Sequence, residues 1–354
     1  GVYGPEDASK YPEGEVVVEN GKLTGLVRGH THFWLWGQVE YTEEQQRKAA
    51  MRSHQQLLEN GITSIGDMGE CDRPSYHIMQ KMCRSGEFKV RSYMALHSIF
   101  GKPYSKEDNE HWMKLGFITG LGDEHFRVGP CKFMIDGGSG GPSCYTREPY
   151  SHDPELPSER GWEREETWDY IKLIDDAECQ ATAHAIGDGA VRNTLNAFEN
   201  AIKENGERAD RRYTMTHVCA VADEDIKRIA DLEVISALQF LWMYRDPLCE
   251  LEIAYIGEER AMAMYPVKNM LEAGCIVSGA SDGPVTPFAP LEEIEVAVTR
   301  NSPYPGEEDT DMHRWPEQAI TPYQALEAYT KNVAFENFME DLVGTIEVGK
   351  KADL

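Results

Sequence analysis

From Gly61 onward the chain alternates short apolar, β-rich runs with longer stretches of helical period, the pattern of βα units that feed a parallel sheet. Seven strands are predicted, over residues 62–66, 89–96, 127–134, 180–184, 213–217, 234–239 and 276–281. Each is apolar until its last residues turn polar or glycine-rich. A helix over 42–59 opens on Thr42-Glu43-Glu44-Gln45, close to a capping box, and helices over 188–205 and 223–230 fall between later strands. The first 60 residues read as an inserted segment. Residues 137–168, rich in glycine, proline, serine and charge, read as a long active-site loop.

Parallel strands with crossover helices either close into an eight-stranded barrel or spread into an open, doubly wound sheet. Polar residues decide between the two. Lys132, His184, His217 and Asp282 end strand after strand, and only a closed barrel gathers so many C-terminal strand ends at one centre. The expected fold is α/β, a (β/α)8 TIM-type barrel over 41–340. Residues 1–40 would be an inserted or N-terminal segment, and 341–354 the start of a C-terminal strand of a small β domain.

Composition narrows the function classes. With 354 residues and 41% hydrophobic content the chain can bury a large core. It contains no apolar run long enough to span a bilayer and does not open like a signal peptide, so it reads as soluble and cytoplasmic. Lys and Arg number 35 against 61 Asp and Glu, a net charge of -26 that repels a phosphate backbone and excludes nucleic acid as a partner. The acidic residues are scattered, which is the pattern of a solvated surface. Eight cysteines, none in a CxxC pair, are too sparse for a disulfide framework and read as buried, reduced thiols. The chain opens without Met and stops at Asp353-Leu354, inside what reads as the approach to a strand, so it reads as a fragment.

His184, in Thr182-Ala183-His184-Ala185-Ile186-Gly187-Asp188, ends one apolar strand ahead of a glycine turn, and His217, in Met215-Thr216-His217-Val218, ends the next. Either alone is more often a structural, hydrogen-bonded histidine. On consecutive strand ends, the pair points to a metal site. Imidazole suits a borderline divalent ion such as zinc. Asp282 leaves another strand in Ser281-Asp282-Gly283-Pro284. As a turn residue it needs no function; beside a metal, it would bind the ion and take a proton from the attacking water. Lys132, in Pro130-Cys131-Lys132-Phe133-Met134-Ile135-Asp136, falls where an unpaired ammonium is costly. Two readings stay open for it: a salt bridge with Asp136, or carboxylation by carbon dioxide into an anionic oxygen ligand bridging two ions. Trp242 and Tyr244, after the sixth strand, read either as pocket lining or as rim packing.

These words, in this order, resemble the amidohydrolase superfamily, and within it the family-3 branch that includes N-substituted formamide deformylases. The resemblance is carried by Lys132 to Gly137, His184-Ala-Ile-Gly-Asp188, Ser281-Asp282-Gly283-Pro284 and the closing Val343-Gly-Thr-Ile-Glu-Val-Gly-Lys-Lys-Ala-Asp353, and covers roughly residues 15 to 354. It implies a metal-dependent hydrolase of a carbon–nitrogen bond with a small-molecule amide-type substrate. Carboxylated Lys132, His184 and His217 would be ligands, and Asp282 both ligand and general base. Zinc is the default metal, as one ion or two, the second depending on carboxylated Lys132. Gly29-His30-Thr31-His32-Phe33 matches the family's His-x-His pair by letter, which would make 22–32 the first barrel strand. The alternative places 14–25 in a segment that family members carry after that strand; the pair, the first strand and a flanking small β-sandwich would then lie outside this chain. Two rival functions remain: a superfamily deaminase or ester hydrolase on the same metal centre, and a non-catalytic barrel acting as a binding module. A homo-oligomer is compatible with either.

Overall fold

The computed structural model describes residues 4–11, 15–27, 31, 39–68, 73–97, 116, 118–156, 164–206, 208–304, 306 and 312–353. Near the N-terminus, β1 (Val16–Glu19) and β2 (Lys22–Val27) form an antiparallel hairpin, with Glu19 opposite Lys22. Asn20 and Gly21, both at positive φ (50° and 71°), make the two-residue turn that suits the twist of such a hairpin. The alternative in which 22–32 forms the first barrel strand is corrected here. Lys22–Val27 is used up in a local hairpin outside the parallel sheet, because Asn-Gly turns the chain back on itself.

The helix α1 (Glu43–Glu59) starts where its sequence directs. Thr42 and Gln45 cap each other reciprocally, with Gln45 N donating to Thr42 Oγ1 at 3.3 Å and Thr42 N to Gln45 Oε1 at 2.9 Å. Then follow β3 (Ser64–Asp67), α2 (Arg73–Ser85), β4 (Arg91–His97), β5 (Phe126–Met134), α3 (Arg164–Asp176), β6 (Ala181–Ala185) and α4 (Asp188–Asn205). The second half holds β7 (Thr214–His217), α5 (Asp223–Asp231), β8 (Ile235–Leu238), α6 (Pro247–Ile256), α7 (Glu258–Met262), α8 (Val267–Glu272), β9 (Ile276–Gly279) and α9 (Pro290–Thr299). Strands β3 to β9 form one seven-stranded sheet in unbroken sequence order, every pairing parallel. All seven predicted strands are present with ends moved by a few residues. The predicted loop 137–168 is shorter than expected, because α3 begins at Arg164.

Packing follows from a sheet buried on both faces. Ala181, Ala183 and Ala185 on β6 are fully buried, and small side chains there let α4 approach through Val191, Leu195 and Phe198. Among the described residues the seven cysteines at 83, 131, 144, 179, 219, 249 and 275 are free and buried, as expected for reduced thiols. No helix among the described residues is long and apolar enough to cross a membrane. Residues 341–353 form turns, and Asp353 grips Arg91, at the start of β4, through Nε at 2.9 Å and Nη2 at 3.0 Å.

Buried acids make stability depend on pH, and Glu336 is one of them. Burial pushes the Glu336 carboxyl from its ordinary 4.5 up to about 7, so folding favours the protonated form. That contribution is complete below about pH 4.5 and is lost as the pH rises through 7, at a cost of roughly 3 kcal/mol. Glu336→Gln is expected to flatten the fall in melting temperature between pH 5 and pH 8. Parallel pH profiles for the variant and the parent chain would rule Glu336 out as its source.

Candidate active site

In the sheet register Lys132 is level with Thr182, and Met134 with His184, so Lys132 and His184 share one face two rows apart. His217 ends β7 level with Ala185, and register alone would turn its side chain to the other face. The backbone overrides this, with His217 and Val218 left-handed at φ 80° and 40°. As a result the imidazoles of His184 and His217 meet with centroids 4.4 Å apart. Left-handed backbone at residues other than glycine carries strain, and maintained strain concentrates at functional sites. Asp282 is also left-handed, at φ 55°.

Each imidazole has one nitrogen committed. His184 Nδ1 lies 3.1 Å from Asp136 Oδ1, and His217 Nδ1 lies 2.7 Å from Gln239 Oε1. An Nδ1–H donated to each oxygen fixes the tautomer and leaves Nε2 as the nitrogen with a lone pair, the usual arrangement of a metal-binding histidine. Trp242 stacks on His217 at 5.4 Å and 5°. Burial, and then the nearby Lys132 ammonium, hold His184 down at about 3. Burial, then His184, then Lys132 hold His217 well below the ordinary histidine range. Both rings are therefore neutral at physiological pH, as ligands must be.

Asp136 is locked from four sides. Besides His184, it accepts the backbone N–H groups of Ile186 at 3.0 Å, Gly187 at 2.8 Å and Tyr145 at 2.9 Å. Burial nonetheless pushes its carboxyl up to about 7, against the pull of those three donors. Asp136 is thus held by His184, the turn after β6 and Tyr145, while the charge of Lys132 acts on the two histidines. The Tyr145 peptide is bonded both ways: its carbonyl accepts from Gly189 N at 3.0 Å and Ala190 N at 3.2 Å, at the start of α4. The contact is close enough that a methyl at Gly187 would collide with the Tyr145 carbonyl.

The structure therefore brings Lys132, His184 and His217 together. Asp282 stands three residues beyond β9 at the same end of the sheet, where Ala280 N donates to Leu238 O at 2.9 Å and the Thr286 hydroxyl donates to the Ser281 carbonyl. Among the described residues no group of three or more His, Cys, Asp or Glu is arranged to hold a metal. The donor chemistry still fits a divalent cation. Two neutral, oriented imidazoles face a lysine that would supply anionic oxygen once carboxylated. His30 and His32 lie outside the described residues. Sequence reasoning missed the roles of Asp136 and Gln239 as orienting groups, although a polar side chain inside Ala237-Leu238-Gln239-Phe240 signals a buried partner.

The fold is that of the metal-dependent hydrolases. A Pyrococcus furiosus structure described as an uncharacterized metal-dependent hydrolase superposes with a TM-score of 0.75 at 23% identity, covering 97% of this chain and 66% of its own. The chain belongs to the amidohydrolase family, whose model matches residues 4–354. YtcJ of Bacillus subtilis is 26% identical over 350 residues, 97% of this chain and 62% of that protein. The N-substituted formamide deformylase of Arthrobacter pascens is 30% identical over 176 residues, 48% of this chain and 30% of its own. The chain thus spans less than two thirds of the length of each of these relatives.

Proposed function

We propose that the chain is the catalytic part of a metal-dependent hydrolase that cleaves a non-peptide carbon–nitrogen bond, an amide or formamide of a small molecule. The supporting observation is the pair of buried, neutral imidazoles at 4.4 Å, each tied at Nδ1 with Nε2 left for a ligand. The closed (β/α)8 barrel is part of the same reading, with β3 to β9 as seven of its strands. Lys132, His184, His217 and Asp282 would hold one zinc ion, or two if Lys132 is carboxylated. A bound divalent cation supplies Lewis acidity, acidifying water and polarising the scissile carbonyl.

The remaining steps belong to the chain's own residues. Asp136 and Gln239 hold the two imidazoles in their tautomers. Asp282 accepts the proton of the attacking water at a carboxylate oxygen and returns it to the leaving nitrogen. Residues 137–148, latched through Tyr145, border the substrate. The buried free thiols accord with a cytoplasmic setting.

The test is elemental analysis of protein purified without chelator, on the parent chain and on the double variant His184→Ala, His217→Ala. About one or two metal ions per parent chain, lost in the variant, is the expected result. Metal retained by the double variant, or missing from the parent, would falsify the assignment. A metal-loaded chain would then be screened on N-formyl and N-acyl amines.

A further inference from the structure

The glycine-rich stretch after β5 is held at a second point besides Tyr145. Ser139 Oγ donates to Glu252 Oε1 on α6, and the other oxygen of Glu252 accepts Arg314 Nη2 at 2.7 Å. Glu252 is 0% exposed and Arg314 1%. The same guanidinium donates to the carbonyls of Ala261 at 2.6 Å and Trp242 at 3.5 Å. Gly140 lies so close to α6 that a methyl there would collide with Leu248.

A buried ion pair adds little net stability, because desolvation offsets much of the attraction; its best-attested use is to select one arrangement of elements over others. Here the selected arrangement joins residues far apart in the chain. Two of them border the candidate site: Ser139 belongs to the loop that also carries Tyr145, and Trp242 bears on His217.

We propose that Glu252 and Arg314 are positioning residues that clamp both walls of the site, the 137–148 loop through Ser139 and the Trp242 indole through its own carbonyl. The inference rests on reading the site as a hydrolytic centre, but the clamp itself is testable without substrate. Hydrogen–deuterium exchange read by mass spectrometry is expected to quicken about tenfold over 137–148 in Ser139→Ala, and over both 137–148 and 240–246 in Glu252→Gln, with 181–185 unchanged. Should Glu252→Gln fail to fold, Ser139→Ala carries the test alone.

On p-nitroformanilide as probe, Ser139→Ala is expected to raise KM about tenfold with kcat within about twofold, and Ser139→Thr to restore it. Exchange over 137–148 that matches the parent chain in a folded Ser139→Ala would overturn the clamp. So would a lower melting temperature with KM unmoved. A parent chain without metal or turnover would instead count against the hydrolase reading, and the exchange rates would still decide the clamp.

Discussion

Asp282→Asn is expected to lower kcat on an N-formyl or N-acyl amine by about a thousandfold, within the range that loss of a general base produces. Asparagine keeps the size of the side chain and tolerates the left-handed backbone that the position demands (φ 55°), so the turn after β9 should survive. What disappears is the charge and the basic oxygen. A full pH–rate profile with a melting curve for each protein separates lost chemistry from lost folding. If the folded variant keeps more than about a tenth of the parent kcat, the proton acceptor lies elsewhere.

The second large effect falls on Asp136, which touches no substrate in this reading. Asp136→Ala frees His184 Nδ1 and leaves the N–H groups of Tyr145, Ile186 and Gly187 without their acceptor. Loss of an orienting partner typically weakens metal affinity about 10- to 100-fold. The two orphaned buried donors, Ile186 and Gly187, at about 1 kcal/mol or more each, imply a loss of at least roughly 2 kcal/mol in stability, to which the half-buried Tyr145 N–H adds. Competition with a chromophoric chelator reads the first effect and urea denaturation the second. Unchanged metal affinity in the folded variant would show that Asp136 serves the loop and not the ligand. Asp136→Asn keeps one acceptor oxygen and should fall between the two.

The repeating elements were legible because their signals are local. The reciprocal cap at Thr42 and Gln45, the strand from Ile276 and the helix from Asp188 to Asn205 follow from neighbours in sequence. The loop boundary at Arg164 is not legible because charge in Glu163-Arg164-Glu165-Glu166 suits a loop as well as the first turn of a helix. The hairpin turn also has a local signal, since Asn20 and Gly21 are residues that accept positive φ.

In the site, residue types were legible and their partners were not. The sequence around Lys132 leaves two readings open, an ion pair with Asp136 or a carboxylated lysine. The structure places Asp136 against His184, from the next strand, a contact set by sheet register and the fold of the β6–α4 turn. The left-handed turn of His217, which brings its ring to His184, likewise has no signature in the letters around it.

The two-way bonding of the Tyr145 peptide carries a consequence for anyone exchanging loops to change specificity. The segment 137–147 shares its hydrogen bonds with Asp136 and with the turn that follows His184, so swapping it whole would rewrite the support of that imidazole along with the wall of the proposed pocket. Graft boundaries placed after Glu148 leave those bonds intact. Library diversity aimed at new substrates therefore belongs downstream of that residue, with Gly187 kept fixed as the partner surface.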